Sequence, residues 1–168
     1  MSIATARKRA DRLFVEFGGA LPVDVSELAQ WRGLALETAT DWPERLCACY
    51  FPAERKITVN GSHVPTRRRF SIAHELGHFL LGHEQIDIEH GIESIFGDED
   101  ESYNVAGELE REANAFAASL LMPKQWIRQE QRGRTIQELV SRIADPTGCW
   151  VSPPAAWYRL MELRLVRF

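Results

Sequence analysis

Apolar residues recur at helical spacing at the start of the chain, where Ile3, Ala6, Ala10, Leu13, Phe14 and Phe17 share one face. The spacing predicts a helix over residues 2–17, stopped by Gly18-Gly19. A shorter helix is expected in DVSEL. Asp24 can cap it, Glu27 stands at capping-box distance, and Gly33 follows as its C′ residue. The pattern then changes: LALETA, RLCACYF and KITVN read as strands, the last two joined at PAER as a hairpin. Helical spacing returns in PTRRRFSIAHELGHFLLG, with Thr66 as N-cap and Gly82 as stop. In VAGELEREANAFAASLLMP, residues Ala106, Leu109, Ala113, Phe116 and Leu120 form an apolar stripe that ends at Pro123. Two short helices close the chain. Thr135 and Glu138 make a capping box for IQELVSRIA, and Ser152 followed by Pro153 opens PPAAWYRLMEL.

Helices, a small sheet and then helices predict a single α+β domain. Residues 1–65 hold the first helices and the sheet, 66–123 the two long helices, and 124–168 a helix pair. Residues 84–104 are acidic, punctuated by glycine and weakly periodic, which reads as a long loop. A length of 168 residues supports one real core and not two. The net charge of −4 argues against broad binding to nucleic acid or anionic membrane. The sequence has no apolar run long enough for a transmembrane helix, and its charged start does not read as a secretory signal. Three cysteines, Cys47, Cys49 and Cys149, form neither a disulfide framework nor a CxxC knuckle; an odd thiol count suits a reducing, cytoplasmic setting. Cys47 and Cys49, two apart, read as small buried apolar residues on one strand face.

The chemistry concentrates in HELGH. His74 and His78 are one helical turn apart, so both rings leave the same face and can meet one Zn²⁺. Glu75 projects about 100° around from His74, placed to reach a metal-bound water without displacing it. Zn²⁺ lowers the pKa of such a water to about 7, and Glu75 would act as the general base in attack on a peptide carbonyl. Gly77 is expected to leave room beside the metal.

The third ligand is harder to find. The metzincin pattern HExxHxxGxxH is excluded, because Leu81 and Glu84 stand where it needs Gly and His. His83 lies beyond the helix stop and reads as an exposed loop histidine, as do His63 and His90. Glu110 and Glu112 flank the apolar stripe of the next long helix on either side, so periodicity does not choose between them. Neighbours favour Glu110, which has Asn114 one turn on as a hydrogen-bond partner for a ligating histidine; Glu112 then reads as a solvated helix glutamate. For an oxyanion partner the candidates are Tyr50, Tyr103 and His63, with Tyr50 preferred because a strand beside the active helix would hold it rigidly.

RRRFSIAHELGHFLLGH followed by EREANAFAASLLMP resembles the ImmA/IrrE family of gluzincin-like zinc metallopeptidases. PVDVSELAQWRGLAL, ITVN and the C-terminal segment resemble flanking parts of that family in the same order. The resemblance implies a zincin-like fold, His74, His78 and Glu110 as ligands of Zn²⁺ (or Mn²⁺ or another divalent ion), and Glu75 as base. It also implies a substrate: a helix-turn-helix transcriptional repressor, cut once to relieve repression of stress, phage or mobile-element genes. An alternative is a non-proteolytic binding module or toxin-system component that docks a DNA-binding partner.

The last two helices resemble a DNA-reading pair in outline, but the second opens with Pro153, Pro154, Ala155, Ala156 and Trp157 and carries only Arg159 and Arg164 as basic residues. A packing pair or a repressor-docking surface fits better. Arg67, Arg68 and Arg69 oppose the dipole at a helix start and are expected to be solvated, to meet the acidic loop or to bind substrate. The substrate is expected to lie extended along a sheet edge, with no nucleic acid bound directly.

Overall fold

The Ser2 side chain accepts the Thr5 amide and so opens α1 (Ile3–Glu16), which buries Ala6, Ala10 and Leu13. The computed structural model describes residues 2–83 and 105–166; the acidic segment 84–104, with His90 and Tyr103, lies outside the described residues. Asp24 caps α2 (Val25–Trp31) by accepting from Ser26 N and Glu27 N, and Gly33 follows with φ +78°. Three strands come next: β1 (Ala35–Ala39), β2 (Ala48–Phe51) and β3 (Lys56–Asn60). Their order in the sheet is β1-β3-β2, with β3 parallel to β1 and antiparallel to β2. A single 3₁₀ turn, Pro52–Glu54, and Arg55 at φ 48° reverse the chain between β2 and β3.

The long helix α3 runs Pro65–Leu81. It starts two residues earlier than the expected Thr66 cap allows: Val64 is the N-cap and Pro65 is the first helical residue, where its missing N–H costs nothing. Gly82, at φ 74°, ends it as expected. Beyond the segment outside the described residues come α4 (Val105–Leu121), α5 (Lys124–Glu130), α6 (Ile136–Ala144) and α7 (Pro153–Glu162). Helix α5 has no counterpart among the elements expected from the sequence. Pro123 closes α4 and also serves as N-cap of this short helix, which turns Ile127 into the core. The α6 capping box forms in both directions between Thr135 and Glu138. Seven helices and a three-stranded sheet among the described residues make an α+β fold.

The core joins these elements around α3 and α4. Leu76, Phe116, Leu120 and Leu121 are fully buried, together with Ile57 from the sheet. Each such side chain contributes about 1.5–3 kcal/mol by leaving water. Gly77 sits at the closest approach of the two helices: a Cβ there would stand 3.1 Å from Phe116 Cδ1 and 3.4 Å from Ala113 Cα. The room expected beside a metal is in fact taken up by α4.

At the C-terminus Arg159 turns inward rather than toward a nucleic acid. Its Nε donates to the Met122 carbonyl at 3.1 Å and its Nη1 meets Glu162 at 2.5 Å. Arg69 donates to the Trp150 and Cys149 carbonyls and lies over the Trp150 ring at 4.8 Å, and Arg67 reaches Cys47 Sγ at 3.2 Å. These two arginines therefore tie the start of α3 to its surroundings. No helix among the described residues is long and apolar enough to cross a membrane. All three cysteines are free and buried.

Candidate metal centre

The HELGH sequence falls on the buried middle of α3, where His74, Glu75 and His78 are 2%, 8% and 4% exposed. One turn of helix brings the two rings side by side, with Nε2 atoms 2.9 Å apart. Across the helix interface α4 delivers Glu110, whose Oε2 lies 3.1 Å from His74 Nε2 and whose Oε1 lies 3.2 Å from His78 Nε2. One ligand atom from each of these three residues falls within 4.8 Å of the others. Ligand atoms about 2.0–2.2 Å from a tetrahedral ion stand roughly 3.3–3.6 Å apart. An opening of a few tenths of an ångström would therefore seat a cation.

The outer nitrogens also suit a metal. His74 Nδ1 lies 2.8 Å from Asn114 Oδ1, which can only accept, so a proton sits on Nδ1 and Nε2 is the nitrogen turned to the cluster. His78 Nδ1 lies 3.0 Å from His83 Nδ1, and His83 Nε2 lies 3.1 Å from Glu112 Oε2. Two imidazoles and a carboxylate, each with its other polar atoms oriented, are a donor set that fits a divalent metal ion.

The electrostatics agree with that geometry. Burial alone would raise the Glu110 pKa, but hydrogen bonds from His74 and His78 outweigh it and hold the carboxyl well below the usual range. Burial alone would lower the His74 pKa; Glu110 more than offsets this and raises it. His78 is lowered, because burial there prevails over the Glu110 hydrogen bond. Glu75 is not one of the three converging groups. Burial pushes its carboxyl up to about 7, while the His74 charge and the Tyr50 main-chain amide favour ionisation and Glu110 opposes it.

Tyr50 lies on edge strand β2; its main-chain amide acts on Glu75, and its ring meets Phe79, one turn past Glu75, edge-on at 5.6 Å. His63 is not exposed: it is 8% accessible and its Nε2 lies 2.7 Å from the Glu44 carbonyl. His83 and Glu112 depart most from expectation. Both are buried, at 6% and 3% exposure, rather than solvated. The cause is the helix stop itself. Gly82 turns left-handed and the His83 amide bonds back to the His78 carbonyl at 3.0 Å, a Schellman-type closure that folds residue 83 onto the last turns of α3. The Gly82-His83 pair after a helix was the signal that could have shown this.

Two histidines one turn apart, an acid between them and a carboxylate from a second helix are the arrangement of HExxH metallopeptidases with a His₂Glu ligand set. Known proteins point the same way. Residues 34–160 match the IrrE N-terminal-like domain, and the chain belongs to the ImmA/IrrE family of metallopeptidases. It is 33% identical over 169 residues to the radiation response metalloprotease IrrE of Deinococcus deserti, covering 96% of the chain and 55% of that protein. It is 32% identical over 117 residues to the protein of the same name from Deinococcus radiodurans, covering 66% of the chain and 32% of that protein. The chain thus spans about half the length, or less, of these curated relatives. A Mycobacterium tuberculosis transcriptional regulator shares the fold, with a TM-score of 0.66 at 23% identity over 95% of this chain and 47% of that one.

Proposed function

We propose that this chain is a zinc-dependent endopeptidase with a zincin-like active site, cutting a helix-turn-helix repressor once. His74, His78 and Glu110 would hold the ion and Glu75 would act as base. The observation that carries this is the convergence of His74, His78 and Glu110 on one point beside the buried Glu75. A bound Zn²⁺ supplies Lewis acidity and a water of lowered pKa. A base works best with a pKa near the operating pH, and positive charge at the ligand cluster favours the ionised form of Glu75. Glu75 then takes the proton of the attacking water and delivers it to the departing amine nitrogen. Asn114 holds the His74 ring in its ligating orientation meanwhile. Tyr50 is the candidate for binding the carbonyl oxygen as negative charge develops on it.

The position of β2 supports a protein substrate bound in extended form. It is an edge strand, and it packs on α3 beside Glu75. A substrate segment added to that edge would run past the donor cluster. The cut should then fall in an extended segment of the repressor, outside its packed helices, with relief of repression as the consequence.

The test uses the metal-loaded chain and the repressor encoded beside it, with fragments identified by mass spectrometry. Wild type should give one cut. Glu75→Gln should keep fold and metal and give none, because the amide is isosteric but cannot take a proton. Cleavage by Glu75→Gln would remove Glu75 from the mechanism. Metal in place with no repressor cut would favour the binding-module alternative.

A further inference from the structure

Buried charge needs a reason. Glu112 and His83 are almost fully buried and face each other across the α3–α4 interface at 3.1 Å. Taking such a pair out of water is costly, and replacing it by apolar groups is often neutral or stabilising. Neither residue belongs to the converging donor set. What distinguishes them is the next contact, His83 Nδ1 to His78 Nδ1 at 3.0 Å.

Donors and acceptors along this line can be followed atom by atom. The Glu112 carboxylate only accepts, so His83 Nε2 carries the proton it faces. A neutral His83 then has a bare Nδ1, an acceptor. His78 Nδ1 must donate to it, which leaves Nε2 as the nitrogen turned toward Glu110 and His74 and the one that can meet an ion. His74 reaches the same state in one step through Asn114. The two ligand rings are thus oriented by different means, one by an amide and the other by a histidine and a carboxylate in series.

We propose that Glu112 and His83 are positioning residues for His78: a two-link relay that fixes its proton on Nδ1 and presents Nε2 to the metal. The proposal rests on the metal reading above. It deepens that reading by naming which residues set the second histidine. The local sequence supports the relay directly. The left-handed Gly82 puts residue 83 over His78, and α4 presents Glu110 and Glu112 to α3 together, one to the ligand rings and one to His83.

The experiment compares wild type, His83→Phe and Glu112→Gln by chelator competition for Zn²⁺, thermal melting of the metal-free chain, and long-range proton–nitrogen NMR of the histidine rings at pH 8. His83→Phe fills similar volume without an acceptor. Without metal it should melt below wild type, because the buried Glu112 carboxylate loses the His83 hydrogen bond; it should also bind Zn²⁺ about 10–100-fold more weakly and lose the Nδ1-protonated signature of His78. Glu112→Gln keeps an acceptor for His83 and should keep that signature, with a loss of severalfold in affinity. Zn²⁺ binding by His83→Phe within threefold of wild type, or a wild-type His78 with no proton on Nδ1 in the Zn²⁺-loaded chain, would overturn the relay. If His83→Phe does not fold, Glu112→Gln decides, and unchanged affinity there overturns it. A wild type that binds no Zn²⁺ yet shows His78 protonated on Nδ1 defeats the metal reading and leaves the relay standing.

Discussion

Gly77→Ala tests the packing that holds the centre together. The added methyl would stand 3.1 Å from Phe116 Cδ1 and 3.4 Å from both Cα and O of Ala113. Phe116 is fully buried and Ala113 Cα is main chain, so neither moves aside freely. Two opposing effects set the outcome. Ala is favoured over Gly in a helix interior by about 0.8–1.0 kcal/mol. Overpacking a core contact costs about 1–3 kcal/mol. The net expectation is a loss of about 0–2 kcal/mol. Gly107→Ala is the control: it lies on α4, and its added methyl would meet nothing within 4 Å among the described residues. It collects the helix term alone and should stabilise by about 0.4–1 kcal/mol. The gap between the variants isolates the packing term, and for a domain of this size 1 kcal/mol is about 2–4 °C in melting temperature. Gly77→Ala should therefore melt roughly 2–12 °C below Gly107→Ala. Because any relief separates α3 from α4, Zn²⁺ affinity should fall in Gly77→Ala and stay unchanged in Gly107→Ala. Equal melting temperatures for the two variants would refute the reasoning, since the interface would then have space the structure does not show.

Other outcomes follow from the same geometry. Glu110→Ala should lose Zn²⁺ binding by at least tenfold more than Glu112→Gln, because a ligand is removed rather than an outer partner; metal analysis after gel filtration reads this, and equal losses would contradict the assignment. Phe116→Ala should cost about 3–5 kcal/mol in urea unfolding, since the side chain is fully buried between the two long helices; a cost under 1 kcal/mol would mean the site collapses freely. Cys149 gives a pH prediction. Burial pushes its thiol from 9.0 up to about 12, so the unfolded chain ionises first. Its contribution is fully present below about pH 9 and is lost as pH rises toward 12, by about 1.4 kcal/mol per pH unit. The stability advantage of wild type over Cys149→Ala should therefore shrink by about 1 kcal/mol between pH 8 and pH 10, and a constant difference would show the thiol to be less buried than it is here.

Local spacing alone determined the elements with strong signals. Ser152 and the Thr135–Glu138 pair mark helix starts because a short polar side chain satisfies amides within its own turn. Gly82 marks a stop because its left-handed backbone favours glycine. The pairing of His74 with His78 is likewise a property of one helix. Pro123 was ambiguous, since a proline that ends one helix can also open the next, and α5 was missed for that reason. What depended on contacts between distant segments was not legible. Glu110 and Glu112 lie symmetrically about the α4 stripe, so only the packing of α4 against α3 gives one to the ligand rings and the other to His83. His63 looked exposed because nothing nearby in sequence shows that the Glu44 carbonyl will meet it. The long arginine side chains at the start of α3 likewise find partners only where the folded chain brings Cys47 and Trp150 to them. Hydrogen bonds that close within a turn are written in local sequence; those that join α3 to α4 exist only once the core between Gly77 and Phe116 has set how closely the two helices approach.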